Sequence, residues 1–124
     1  MREVYGAPEE LEMLEIKLWI EAKKREEERI KELAELFDIG DYLARSMIKG
    51  TEPGIIYIKV LESVSKSPYG KTYKQVSRDA GKNDIKLLLD RMKEQGFLKY
   101  DGKRWVLTEK GKALYRYLTK DERE

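Results

Sequence analysis

Cysteine and histidine are both missing from this 124-residue chain. Without thiols there is no disulfide framework and no thiolate metal site, a composition that fits a reducing compartment. Without imidazole or thiol, the common zinc sites and the Ser-His or Cys-His nucleophile pairs cannot be assembled. No apolar run approaches the roughly 18 residues of a membrane span, and charges interrupt the N-terminal stretch where a signal peptide needs apolar residues. A soluble, cytoplasmic protein is therefore expected. The length allows one modest domain, or a domain of about 70 residues with an appended arm.

Charge is abundant where chemistry is scarce. Charged residues make up 40% of the sequence, rich in Lys, Glu and Arg, a balance that suggests a thermophilic source. The carboxylates are dispersed at helical spacings, and Glu26-Glu27-Glu28 reads as a solvated run. Gly70-Lys71-Thr72 resembles the end of a phosphate-binding P-loop, but the first glycine of that motif would fall on Ser65 and no strand precedes it. Neither an enzyme nor a bound cofactor or metal is expected.

The two signs are unevenly distributed. Ile55 to Lys120 holds 16 Lys/Arg against 7 Asp/Glu, a net +9. Met1 to Gly54 holds 9 against 14, a net −5, and the tail from Asp121 to Glu124 holds 1 against 3. A polyanion responds to the local field of one surface, so the overall +2 conceals a cationic half and an acidic half.

In the acidic half, Pro8 followed by Glu9 and Glu10 starts a helix. Leu11, Leu14, Leu18 and Ala22 recur at helical spacing, and Ile30, Leu33 and Phe37 continue the stripe beyond the charged run from Lys23 to Arg29. One long helix, or two with a break in that run, is expected, with the polar middle crossing solvent or bridging subunits. Gly40 is the expected end, Asp41 the cap of a short helix through Ile48, and Gly50 the end of that one. Thr51-Glu52-Pro53-Gly54 reads as a turn and the domain boundary. The expected division is an arm over residues 1–53, a domain over 54–120 and a charged tail over 121–124.

The cationic half reads as helix, helix, turn, helix, hairpin, helix. Ile55, Ile56, Ile58, Leu61 and Val64 mark the first helix. Thr72 and Gln75 have capping-box spacing and start the second, with Tyr73, Val76 and Ala80. Gly81 supplies the turn, Asn83 is the expected cap of a helix through Gln95, and Ile85, Leu88, Leu89 and Met92 are its inner stripe until Gly96. Phe97 to Tyr100 and Arg104 to Leu107 read as strands around a two-residue Asp101-Gly102 turn, with Trp105 opposite Leu98 and part of the core. Thr108 caps a last helix with Ala113, Leu114, Tyr117 and Leu118 inward. The expected class is mainly α with a small β-hairpin (α+β).

This order resembles the winged helix-turn-helix family, especially small archaeal transcriptional regulators and their viral or plasmid relatives. The resemblance is sharpest from Leu88 to Leu118: the run Leu88-Leu89-Asp90-Arg91-Met92-Lys93-Glu94-Gln95-Gly96-Phe97-Leu98, the Asp-Gly hairpin, then Leu107-Thr108-Glu109-Lys110-Gly111-Lys112-Ala113-Leu114. It covers the last 70 residues and leaves Met1 to Gly54 without a counterpart. It implies a regulator of transcription that reads double-stranded DNA, with the third helix in the major groove. There Asn83, Asp84, Lys86, Leu87, Asp90, Arg91 and Lys93 face outward, Asn83 suited to adenine, Lys86 or Arg91 to guanine and Leu87 to a thymine methyl, with Asp84 and Asp90 a cost against phosphate. The same positions also describe an ordinary solvated helix face. Lys99, Lys103 and Arg104 surround the wing turn, and Lys71, Thr72 and Tyr73 stand where a phosphate meets the start of the second helix, although Tyr73 equally suits packing.

DNA repels an acidic arm, which therefore needs another partner. Leu11, Leu14, Leu18, Trp19, Ile30, Leu33 and Phe37 suit a homodimer interface, or a stripe that packs on its own domain. Ile30 to Ile48 also spaces its apolar residues like a second helix-turn-helix, with Asp38 in place of the turn glycine. Two other functions fit the cationic half: a protein-interaction module of a transcription or replication complex, and a non-specific architectural DNA binder. Any small-molecule effector is left open by the sequence.

Overall fold

The computed structural model describes the backbone of residues 8–123 and the side chains of residues 12–119. It is mainly helical with one small hairpin: α1 (Pro8–Phe37), α2 (Asp41–Lys49), α3 (Gly54–Ser65), α4 (Tyr73–Ala80), α5 (Lys86–Glu94), β1 (Leu98–Tyr100), β2 (Trp105–Leu107) and α6 (Glu109–Arg123). No helix among the described residues is long and apolar enough to cross a membrane.

α1 is a single helix of 30 residues, unbroken through the charged run. Asp38, with φ of 53°, takes the left-handed position after it, and the Ile39 amide donates to the Ala34 carbonyl at 3.1 Å. Gly40 is thus not the terminator but the residue before α2, and Asp41 lies in the first turn of α2 instead of capping it. Asp38 can fill this position because a short polar side chain tolerates the left-handed region better than most. Gly50 ends α2 as expected, with φ of 73°.

One core runs from α1 to α6. Ile30, Leu33 and Phe37 are buried in it together with Met47, Tyr57, Leu61, Leu89, Phe97, Trp105 and Leu114. The Phe37 ring meets Phe97 and Tyr117 with centroids 6.4 and 5.7 Å away, and Tyr57 meets Phe97 at 6.1 Å. Burial pushes the Tyr57 phenol well above its ordinary pKa, because the charged form is poorly solvated there. The turn at 51–54 therefore marks a change of charge in the sequence but no gap in the packing. The Gly54 amide donates to Ser46 Oγ at 2.7 Å, and Ser46 Oγ donates to the Thr51 carbonyl at 2.6 Å. A β-carbon on Gly54 would lie 2.4 Å from the Ser46 carbonyl carbon, so only glycine lets α3 approach α2 this closely.

Polar contacts finish the α1–α2 junction. Arg45 holds Glu27 bidentately at 2.7 and 2.9 Å, and Lys49 meets Glu26 at 3.6 Å. Two members of the triplet expected to be plainly solvated thus fasten α2 to α1. The Arg45 guanidinium holds the Glu27 carboxyl below its ordinary range.

The hairpin differs from expectation in register. Leu98 pairs with Leu107 and Tyr100 with Trp105, not Leu98 with Trp105. The Asp101 carboxylate accepts from the amides of Lys103 and Arg104 at 3.0 and 2.8 Å, and the Asp101 amide donates to the Arg104 carbonyl at 3.1 Å. The turn residues are consequently Gly102-Lys103. This is a shift of two residues in the pairing, and because strand side chains alternate with period two, Leu98, Trp105 and Leu107 still face the core. The last helix also departs in one detail: Ala113 is exposed, and Gly111 takes the buried place against the hairpin.

Candidate nucleic-acid interface

The segment from Lys71 to Arg104 builds one framework from local signals. Lys71 and Trp105 exchange backbone hydrogen bonds at 2.9 and 2.7 Å, so the residue before α4 adds a bridge to the outer edge of β2. Thr72 and Gln75 form the capping box their spacing anticipates, with Thr72 Oγ1 accepting from the Gln75 amide and Gln75 Oε1 from the Thr72 amide. Gly81, at φ of 71°, closes α4 and turns the chain toward α5.

α5 starts later than expected. Lys86 is its first residue and Ile85 precedes it as the cap position, leaving Asn83 and Asp84 in the connecting loop. The reason lies in Tyr73, whose hydroxyl donates to the Asn83 carbonyl at 3.0 Å and accepts from the Ile85 amide at 3.2 Å. That brace satisfies backbone groups that a helix starting at Asn83 would have organised differently. Asn83 is therefore an exposed loop residue, not a helix cap, and Tyr73 is a strut between α4 and the α5 entry.

The three candidates at the start of α4 are occupied within the chain. Lys71 Nζ lies 2.6 Å from Asp79 Oδ2, which also accepts from Ser63 Oγ at 2.6 Å. Thr72 is spent on its cap and Tyr73 on its brace. Lys71 first, then Ser63, hold the Asp79 carboxyl below its ordinary range. The amides of Arg104 and Lys103 do the same for Asp101 in the hairpin turn. A carboxylate with a depressed pKa contributes stability above the ordinary carboxylate range and loses it as pH falls through the folded value. Thermal midpoints are therefore expected to stay level from pH 7 to about 5 and to drop below about pH 4. Asp79→Asn should show a shallower acid drop in the same scan, and an unchanged profile would remove Asp79 from the account.

The remaining candidates are open to solvent. Lys86, Leu87, Arg91 and Lys93 of α5, Lys99 of β1, and Lys103 and Arg104 of the turn are all exposed, Leu87 at 81%. Arg104 also reaches the Gly70 carbonyl at 3.4 Å. Sequence reasoning passed over Lys74, Arg78 and Lys82, which are exposed on α4 and its turn. The legible signal was the i,i+4 spacing of Lys74 and Arg78 opposite buried Val76 and Ala80. It also passed over Glu94, exposed one turn beyond Asp90 on α5. From Lys74 to Arg104 there are nine lysines and arginines, and none makes an ion pair among the described residues.

The expected dimer stripe divides at the middle of α1. Ile30, Leu33 and Phe37 are buried in their own chain's core and are not available to a second copy. The geometry thus assigns them to the alternative role, packing on their own domain, because the end of α1 is pinned by α2. Leu14, Leu18 and Trp19 are exposed. The Leu11 side chain lies outside the described residues. Residues 30–48 bury Leu33, Phe37, Ile39, Ala44 and Met47 in the shared core, with Asp38 making the turn.

No family model, curated protein or solved structure matches this chain.

Proposed function

We propose that this chain is a double-stranded DNA-binding regulator of transcription, and that residues 54–120 work as a winged helix-turn-helix. α5 enters the major groove, the Lys99–Arg104 turn rests on the backbone or in the minor groove, and Lys74, Arg78 and Lys82 hold flanking phosphates. The single observation that carries this reading is that the nine cations from Lys74 to Arg104 make no ion pair among the described residues. Arg45 and Lys49, by contrast, are matched to carboxylates of their own chain. Unmatched surface cations raise the local potential and are what phosphate responds to. Two copies per site, in the cytoplasm, complete the reading.

The test is a salt-titrated shift assay on duplex DNA. Log affinity should fall steeply with log salt, and Lys103→Ala should reduce the slope by about 1 if that side chain neutralises one phosphate. An unchanged slope would take Lys103 out of the phosphate set, and absence of any salt-dependent binding by the unmodified chain would end the DNA reading.

A second reading, a protein-interaction module, is favoured by Asp90 and Glu94, which place two carboxylates on the outward side of α5 beside Leu87 and Arg91. Equal affinity for unrelated duplexes would instead point to a non-specific architectural binder.

A further inference from the structure

The first half of α1 is exposed throughout from Glu12 to Arg25, yet carries six large apolar side chains between Met13 and Ile20. Trp19 is 60% exposed, Leu14 53% and Leu18 56%. The helical part of this half, from Pro8 to Arg25, extends about 27 Å at 1.5 Å per residue. Apolar residues at this density on an unaccompanied helix mark a contact surface, since isolated solvent-facing helices are polar all round.

The charges of the same segment say what covers it. Along the helix from Glu9 to Glu15 every charged residue is a carboxylate, whereas Lys17, Lys23, Lys24 and Arg25 follow against Glu21 alone. Two copies side by side in parallel would place carboxylate against carboxylate and lysine against lysine. Reversed, the segment complements itself. Centred at the level of Ile16, Leu14 of one copy meets Leu18 of the other, and the acidic leading end of each copy runs beside the basic stretch of its mate.

We infer that the leading half of α1 pairs antiparallel with the same segment of a second copy. This rests on the two-copy reading above but is argued from a different surface, and it replaces Ile30, Leu33 and Phe37 as the contact. Glu26, the first half-buried side chain, lies ten residues from the centre, so the two globular bodies begin roughly 30 Å apart.

The experiment uses the full chain without DNA. Sedimentation equilibrium should give the mass of two chains, and Leu14→Lys/Leu18→Lys should reduce it to one. The same variant should retain the thermal midpoint of the core, because neither side chain belongs to it. A one-chain mass for the unmodified protein at high concentration overturns the pairing and assigns the segment to another polypeptide. Orientation is read by introducing thiols into this cysteine-free chain. In the antiparallel register, Leu11→Cys and Glu21→Cys lie opposite each other, whereas two copies of Glu21→Cys alone are about 15 Å apart, too far for a disulfide. Oxidation should join the mixed pair and leave the Glu21→Cys sample unjoined, and the reverse result would overturn the orientation. A monomer that still binds DNA sinks this pairing alone, and a dimer indifferent to DNA sinks the DNA reading alone.

Discussion

Gly111→Ala should lower the midpoint of thermal unfolding by about 10 °C, the shift that accompanies a loss of roughly 3 kcal/mol in a domain of this size. Gly111 is buried where the first turn of α6 crosses the hairpin, and a β-carbon there would lie 2.2 Å from the Phe97 carbonyl oxygen and 3.0 Å from a Leu107 methyl. Leu107 can adjust its rotamer, but the Phe97 oxygen cannot. It accepts a hydrogen bond from the Thr108 amide at 3.1 Å, and Thr108 caps α6 by accepting from the Gly111 amide at 3.0 Å. Making room therefore separates α6 from the strand and loosens the cap together. Ala113→Gly is the comparison: that residue is exposed, and its cost is limited to helix propensity, about 1 kcal/mol. Calorimetry of both variants checks the expectation, and a Gly111→Ala midpoint within 2 °C of the parent would mean that α6 shifts without resistance.

The second large effect concerns the cationic surface. Lys86→Ala/Arg91→Ala/Lys103→Ala should lower the slope of log affinity against log salt by roughly 3, if each side chain meets one phosphate, and weaken binding on the order of a hundredfold or more near physiological salt. All three side chains are exposed and make no ion pair among the described residues, so helical content and thermal midpoint should remain those of the parent. If Arg91 reads a base edge, the slope falls by about 2 instead and discrimination between duplexes narrows. Lys71→Ala makes the contrasting control. Its ion pair with Asp79 directs it toward stability, with little influence on the salt slope. A triple variant with the parent's slope would remove this face from the DNA reading.

The parts that could be read from the chain share one property, that a local signal determines them. Thr72 with Gln75, Gly81, Gly96 and Thr108 punctuate the helices where their chemistry requires. The inner stripe Ile85, Leu89 and Met92 is buried as its spacing demands. The errors have the opposite character. Asn83 has the composition of a helix cap, but a tyrosine hydroxyl ten residues earlier claims its carbonyl. Asp101-Gly102 has the composition of a two-residue turn, but the Asp101 carboxylate takes two amides and moves the turn one residue onward. Lys71 looked free for phosphate because nothing in its own neighbourhood announces Asp79 on the far end of α4.

What the sequence determined alone was the kind and order of the elements, and the division into an acidic and a cationic half. Both follow from short-range pattern, helical or strand periodicity with capping chemistry in one case and simple addition of charge in the other. Tertiary structure decided which members of a pattern are spent. The stripe along α1 is continuous in the sequence, yet Ile30, Leu33 and Phe37 vanish into a core while Leu14, Leu18 and Trp19 stay in water. Periodicity specifies the face on which a side chain lies, whereas the partner that meets that face comes from residues distant in the chain, here α2 and the segments beyond it.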